Sequence, residues 1–197
     1  MLYYFIKNYY SEIAEKIENQ QIQFGLARIH SHRHISRCII YSDWYANLLN
    51  ISSYSVDRLK LYFLASMHDI GREGELVDVW ENKSYQIYLE HLSKIKIDKS
   101  KVNNNEELII FKNNNILSDI LHDVDCLDIM RSGTGRGGIM GFQKSYLNLF
   151  KDNSFIQDKM VSDAWQLINL TDGMEYENKD CLKTIYEKNK NEWKIAI

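Results

Sequence analysis

Proline is missing from all 197 residues. Helices can therefore run on without the lost N–H and ring clash that stop them elsewhere. Cysteine is scarce: Cys38, Cys126 and Cys181 are odd in number, widely spaced and set in apolar helical patterns. That usage disfavours a disulfide or zinc framework and predicts reduced core thiols in a reducing compartment. An excess of positive charge is absent too. The formal net charge of −3 offers a phosphate backbone no general attraction, so nucleic acid is not an expected partner. Nor is there a long hydrophobic run. The apolar opening Leu2-Tyr3-Tyr4-Phe5-Ile6 is interrupted by Lys7 and Asn8 before it reaches the length of a secretory signal core or a membrane span. Neither Sec export nor a membrane partner is expected, and the predicted location is cytoplasmic.

What remains is the composition of an ordinary globular protein, with 45% hydrophobic and 26% charged residues. The length suits one domain over 1–197, and the patterning predicts an all-α bundle. Residues 3–19 read as an amphipathic helix with Phe5, Tyr9, Ile13 and Ile17 inward and Glu12, Glu15, Lys16 and Glu18 outward. Further helices are predicted over 30–49, 56–67, 84–97, 116–131, 155–171 and 175–192, with Ser55 or Ser53 capping the third. Asn-rich stretches at 103–105 and 113–115 read as turns. Glycines gather at Gly71 and Gly74 and again from Gly133 to Gly141. The run Ser132-Gly133-Thr134-Gly135-Arg136-Gly137-Gly138 lacks the spacing and Lys-Ser/Thr ending of a phosphate loop, and is expected to be a connector.

Three groups of residues carry chemistry. His30, His32 and His34 are three of the six histidines and fall within five residues. On a helix His30, His34, Arg37 and Tyr41 share one stripe, while His32 points elsewhere and is expected at the surface. Second, His68-Asp69 end the helix closed by Leu61-Tyr62-Phe63-Leu64-Ala65-Ser66-Met67, which is apolar nearly all round. A carboxylate buried there needs a metal, a cation or several hydrogen bonds. Third, Asp125 falls beside the buried face of Leu117, Ile120, Val124 and Leu127 and makes the same demand. Asp128 and Arg131 sit i, i+3, suited either to pairing with each other or to catalysis. Arg37, Arg72 and Arg131 are candidates to clamp phosphate oxygens, with pairing to a carboxylate the alternative for Arg37. Neutral imidazole and carboxylate are natural ligands of divalent metals.

Together these groups, over roughly residues 25–135, resemble the HD superfamily, whose pattern is an early His, a His-Asp pair and a later Asp on a further helix. The matching positions are His34, His68, Asp69 and Asp125. The resemblance implies a helical phosphohydrolase in which these four hold a divalent ion that activates water and neutralises phosphate charge.

A more specific resemblance runs through Ile29-His30, His34 and Arg37, then His68-Asp69, Gly71-Arg72-Glu73-Gly74-Glu75, Asp78 and Trp80, and then Asp123-Val124-Asp125-Cys126-Leu127-Asp128. This pattern is similar to the phosphodiesterase domain of SidE-type bacterial effectors. Members of that family cleave the pyrophosphate of ADP-ribosylated ubiquitin and pass phosphoribosyl-ubiquitin to a serine or to water, while related stand-alone forms remove it. By this resemblance the partner is a phosphate-containing substrate such as ADP-ribosylated ubiquitin or a phosphoribosylated protein, met in a host cytosol. His30 is then the nucleophile, His34 its neighbour, and Glu73 or Glu75 the acid that helps move a proton. That mechanism needs no cofactor, whereas the ordinary HD reading needs a divalent metal and takes a small nucleotide. A third reading keeps the HD framework as a non-catalytic binding module, against which the intact set of four ligands argues.

Overall fold

The computed structural model describes residues 1–24, 30–53, 55–73, 81–94, 115–132, 142–175 and 178–189. Among them every regular element is helical, as the proline-free sequence predicts. Helix α1 spans Leu2–Phe5, passes through a π-turn at Ile6–Tyr10 and continues as α2 over Ser11–Phe24. Then come α3 (His32–Leu48), α4 (Val56–Met67), α5 (Glu81–Lys94) and α6 (Ile116–Asp128), the last running into a 3-10 turn at Ile129–Ser132. A 3-10 turn at Lys144–Tyr146 precedes α7 (Ser154–Asp172) and α8 (Cys181–Asn189). No described helix is long and apolar enough to cross a membrane.

The ends of these helices follow from local chemistry. Asn and Ser side chains accept from the otherwise unpaired first-turn N–H groups: Ser55 from Arg58 N at 3.2 Å, Asn115 from Leu117 N at 3.0 Å and Asn153 from Ile156 N at 3.2 Å. Helix α3 stops where Asn50 adopts φ 53°, which lets Ile51 N reach back to Ala46 O at 2.8 Å and Asn50 N to Asn47 O at 3.1 Å. Helix α8 starts at Cys181 rather than at 175 because the Asn178 side chain accepts from Asp180 N at 3.0 Å and turns the chain there. The first helix outruns its predicted end at 19, since nothing from Gln20 to Phe24 breaks it. Helix α5 begins at Glu81 instead of 84. The stretches 103–105 and 113–114 and the glycine run from Gly133 lie outside the described residues.

Helix α3 is the spine, packed against α2, α4, α6, α7 and α8. From His32 to Ser42 every residue is buried. The whole predicted apolar run Leu61–Met67 is buried as well, in one hydrophobic cluster with Phe5, Ile13, Ile39, Ile120 and Ile185. Each fully buried Leu, Ile or Phe in such a core contributes roughly 1.5–3 kcal/mol relative to exposure. All three cysteines are buried and unbridged, as expected of core thiols. Arg58 clamps the base of α4 to α3 through Asp43 Oδ1 at 2.5 Å and Asn47 Oδ1 at 2.5 Å.

Candidate active site

The C-terminal end of α4 delivers the first donors. His68 follows the last residue of the helix, and its Nδ1 donates to Ala65 O at 2.9 Å, which leaves Nε2 facing inward. Asp69 comes next in a tight turn secured from two sides. Gln20 of α2 donates to Asp69 O at 3.1 Å and Arg72 O at 2.7 Å, and Gly71 N donates to Ser84 Oγ of α5 at 2.8 Å.

Asp69 is the hub. Its Oδ2 lies 2.6 Å from His30 Nδ1, 3.1 Å from His34 Nε2 and 3.2 Å from His68 Nε2, while Oδ1 accepts from Arg72 Nε at 2.7 Å. Burial alone would raise its pKa, but the His68 charge and the hydrogen bonds from three imidazoles hold it well below the usual carboxylate range. His68 shows the complement. Burial opposes its charge, and Asp69 and Asp125 overcome that and push its pKa up to about 10.

His34 arrives from the first turn of α3. Its Nδ1 donates to Asp128 Oδ2 at 2.7 Å, which directs Nε2 toward His68 Nε2 at 3.2 Å and Asp125 Oδ1 at 3.7 Å. Two imidazole lone pairs cannot rest at that separation without a proton or a cation between them. His34, Cys38, His68 and Asp125 offer donor atoms all within 4.8 Å of one another, and His30, His34 and Asp69 form a second such group. The donor set therefore fits a divalent ion, with both ring nitrogens on the far side anchored as ligand histidines usually are. It fits a shared proton equally well. Asp125 stands at the mouth, its side chain 41% exposed.

His30 precedes α3 instead of lying on it, so the predicted helical stripe begins at His34. The bend at His30-Ser31 carries its ring onto Asp69, with 13% of the side chain exposed. Burial lowers its pKa against the pull of Asp69, favouring the neutral ring. Because the Asp69 carboxylate can only accept, Nδ1 carries the hydrogen and Nε2 the lone pair.

Asp128 carries more than the pairing with Arg131 that its spacing suggests. Fully buried, it receives Arg37 Nε at 2.5 Å and Nη2 at 3.0 Å, Arg131 Nη1 at 2.5 Å and His34 Nδ1 at 2.7 Å. Burial opposes its charge, yet Arg37 and Arg131 hold its pKa well below normal. Arg37 also donates to Thr171 Oγ1 at 2.8 Å, so of its two expected roles the structure displays the carboxylate pairing. One turn beyond Asp125, Asp128 shares its face of α6, and that repeat was the signal in the sequence.

Other expectations fall elsewhere. His32, the first residue of α3, is not a surface residue: its side chain is completely buried, and burial lowers its pKa to about 4. Glu73 is 58% exposed and forms an ion pair with Lys83, while Glu75, Asp78 and Trp80 lie outside the described residues. Asp123 belongs to the scaffold, accepting from Asn148 N at 2.6 Å and Leu149 N at 2.9 Å.

A family model described as the SidE phosphodiesterase (PDE) domain matches residues 6–186. Comparisons with curated proteins and with solved structures return no match.

Proposed function

The chain belongs to the SidE phosphodiesterase domain family and is a phosphodiesterase; from that premise we propose that it cleaves the pyrophosphate or phosphoester of an ADP-ribosylated or phosphoribosylated protein, ubiquitin being the expected carrier. The observation that supports this reading is the 2.6 Å contact between His30 Nδ1 and Asp69 Oδ2. A neutral His30 ring with its lone pair on Nε2 suits nucleophilic attack, and the Asp69 carboxylate on Nδ1 would stabilise the positive charge that develops.

In the first step Nε2 of His30 bonds to phosphorus of the ADP-ribose pyrophosphate. The bond from that phosphorus to the bridging oxygen breaks, and adenosine monophosphate departs with the electron pair. In the second, water or a serine hydroxyl attacks the phosphoramidate, loses its proton to a base and releases His30. Glu73 or Glu75 would take that proton. Arg72 brings positive charge beside Asp69 and Arg131 beside Asp128 for the phosphate oxygens, while Arg37 holds Asp128 and through it His34.

A second reading, the metal-dependent HD phosphohydrolase acting on a small nucleotide, is favoured by the convergence of four donors. His34, His68, Asp69 and Asp125 would hold the ion, which when bound neutralises phosphate charge and acidifies water.

One experiment separates the two. Purified protein is incubated with ADP-ribosylated ubiquitin, with and without EDTA, and quenched rapidly. The SidE-like reading expects EDTA-resistant turnover and an acid-labile, base-stable phosphoramidate on the wild type that His30→Ala abolishes. EDTA-sensitive turnover of mononucleotides with no adduct at His30 would reject it in favour of the metal enzyme.

A further inference from the structure

On another face of the domain, α1, the π-turn and the start of α2 pack beside α8 around a cleft of about 420 Å³, lined among others by Tyr3, Lys7, Ser11, Lys183, Tyr186 and Glu187. None of its lining residues belongs to the catalytic cluster. The volume lies within the range of small-molecule sites.

Contacts along the cleft fix how its walls are aligned. Tyr3 stacks on Tyr186 with ring centroids 6.0 Å apart, and at the opposite end Lys179 meets Glu18 at 3.9 Å. The two walls are therefore antiparallel. Aromatic rings and the Glu187 carboxylate mark one end, and Lys7 and Lys183 come level with each other about one turn further in. Tyr10, whose hydroxyl is 3.4 Å from Ser36 Oγ, and Ala14 line the cleft from the next turns of the N-terminal wall. Neither Lys7 nor Lys183 has an ion-pair partner among the described residues, although acidic side chains line the same cleft. A π-turn, uncommon in helices and frequent at functional sites, forms the wall that carries Lys7 and Tyr10.

We propose that this cleft is a second binding site, for a nucleoside monophosphate. Two tyrosine rings with a carboxylate beside them at one end, and two lysines about one turn further in, match a molecule with a flat base and hydroxyls at one end and an anionic phosphate at the other. Tyrosine faces stack on the base, a carboxylate accepts from the hydroxyls, and paired ammonium groups hold the phosphate.

The test uses the full chain carrying His30→Ala, so that binding is read without turnover. Adenosine 5′-monophosphate is titrated calorimetrically, with adenosine and inorganic phosphate as separate probes. Saturable binding of the monophosphate is expected, tighter than either part alone. The double change Lys7→Ala, Lys183→Ala should weaken it by at least about tenfold. The same pair of changes, made in the otherwise wild-type chain, should leave helical circular dichroism and phosphodiesterase turnover unchanged. Equal binding of inorganic phosphate would reduce the cleft to an anion patch and overturn the nucleotide assignment. Absence of binding, or binding lost on changing Arg72 and Arg131 but not the two lysines, would also overturn it.

Discussion

Asp128 makes no contact with the mouth of the site, yet His34 depends on it. Its carboxylate accepts from one imidazole and two guanidinium groups at 2.5–3.0 Å. An amide of the same shape has one acceptor oxygen and brings two donors of its own. Asp128→Asn should therefore let His34 rotate or change tautomer, lowering kcat by roughly 10–100-fold. It should also cost on the order of 3 kcal/mol in stability, since Arg37 would be left buried and partly uncompensated. Turnover measured below the melting temperature set by circular dichroism checks both, and wild-type kcat would remove Asp128 from the mechanism. Sequence spacing exposed His34, His68, Asp69 and Asp125 because each is an ionisable group on or beside an apolar face. It could not show that Asp128 serves His34, because that bond crosses 94 positions of chain. His32 differs from its expected place for the same reason: its neighbours Ser31 and Arg33 are polar, while the charges that reach it, Glu18 and Lys179, come from distant parts of the chain.

At the scale of elements, hydrophobic periodicity located the helices that carry or flank the candidate site residues, and what it missed lies at their ends. The predicted helix over 30–49 begins two residues late, at His32, and that difference frees His30 to turn toward Asp69. Helix ends depend on which side chain happens to satisfy the unpaired backbone groups, and some of those side chains are distant. Arg33 is such a case. From the first turn of α3 its Nη1 donates to Thr171 O at 3.1 Å, Asp172 O at 3.0 Å and Met174 O at 3.1 Å, closing the C-terminus of α7. Arg33→Ala should cost about 2–4 kcal/mol by taking this donor from Asp172 O and Met174 O, while Thr171 O keeps Met174 N at 3.0 Å. Urea denaturation measures this, and a loss below about half a kcal/mol, the size of a neutral surface change, would show that water replaces the guanidinium.

The whole molecule inherits a pH response from the charges of the candidate site. Asp69, Asp125 and Asp128 all titrate lower in the folded chain than in an unfolded one. Between those values the unfolded state binds more protons, so the stability they supply is complete above the ordinary carboxylate pKa of about 4 and drains away as pH falls below it. His68 acts in the opposite sense. Its folded pKa of about 10 exceeds the free value, so its contribution is complete below roughly pH 6.5 and is lost as pH rises toward 10. His30 and His32, whose folded pKa burial lowers, withdraw stability as pH falls below about 6.5, so protein held in EDTA should show a stability maximum at about pH 6.5. Thermal melting across pH checks the shape. A curve flat from pH 6.5 to 10 would mean that His68 is not protonated in the ion-free fold. The sequence does not display such a profile, because it arises where three separate stretches of chain meet.

Arg37 finds its acceptors at Asp128 and Thr171, 91 and 134 positions further along the chain. During synthesis, at roughly 5–20 residues per second, the segment bearing the histidines thus waits roughly 5 to 25 seconds before the residues that brace its arginine are made. Until then the guanidinium stays in water and His34 has nothing to fix its ring. A nascent chain holding every reactive side chain is in this sense still disarmed, and competence arrives late, with the far end of α7.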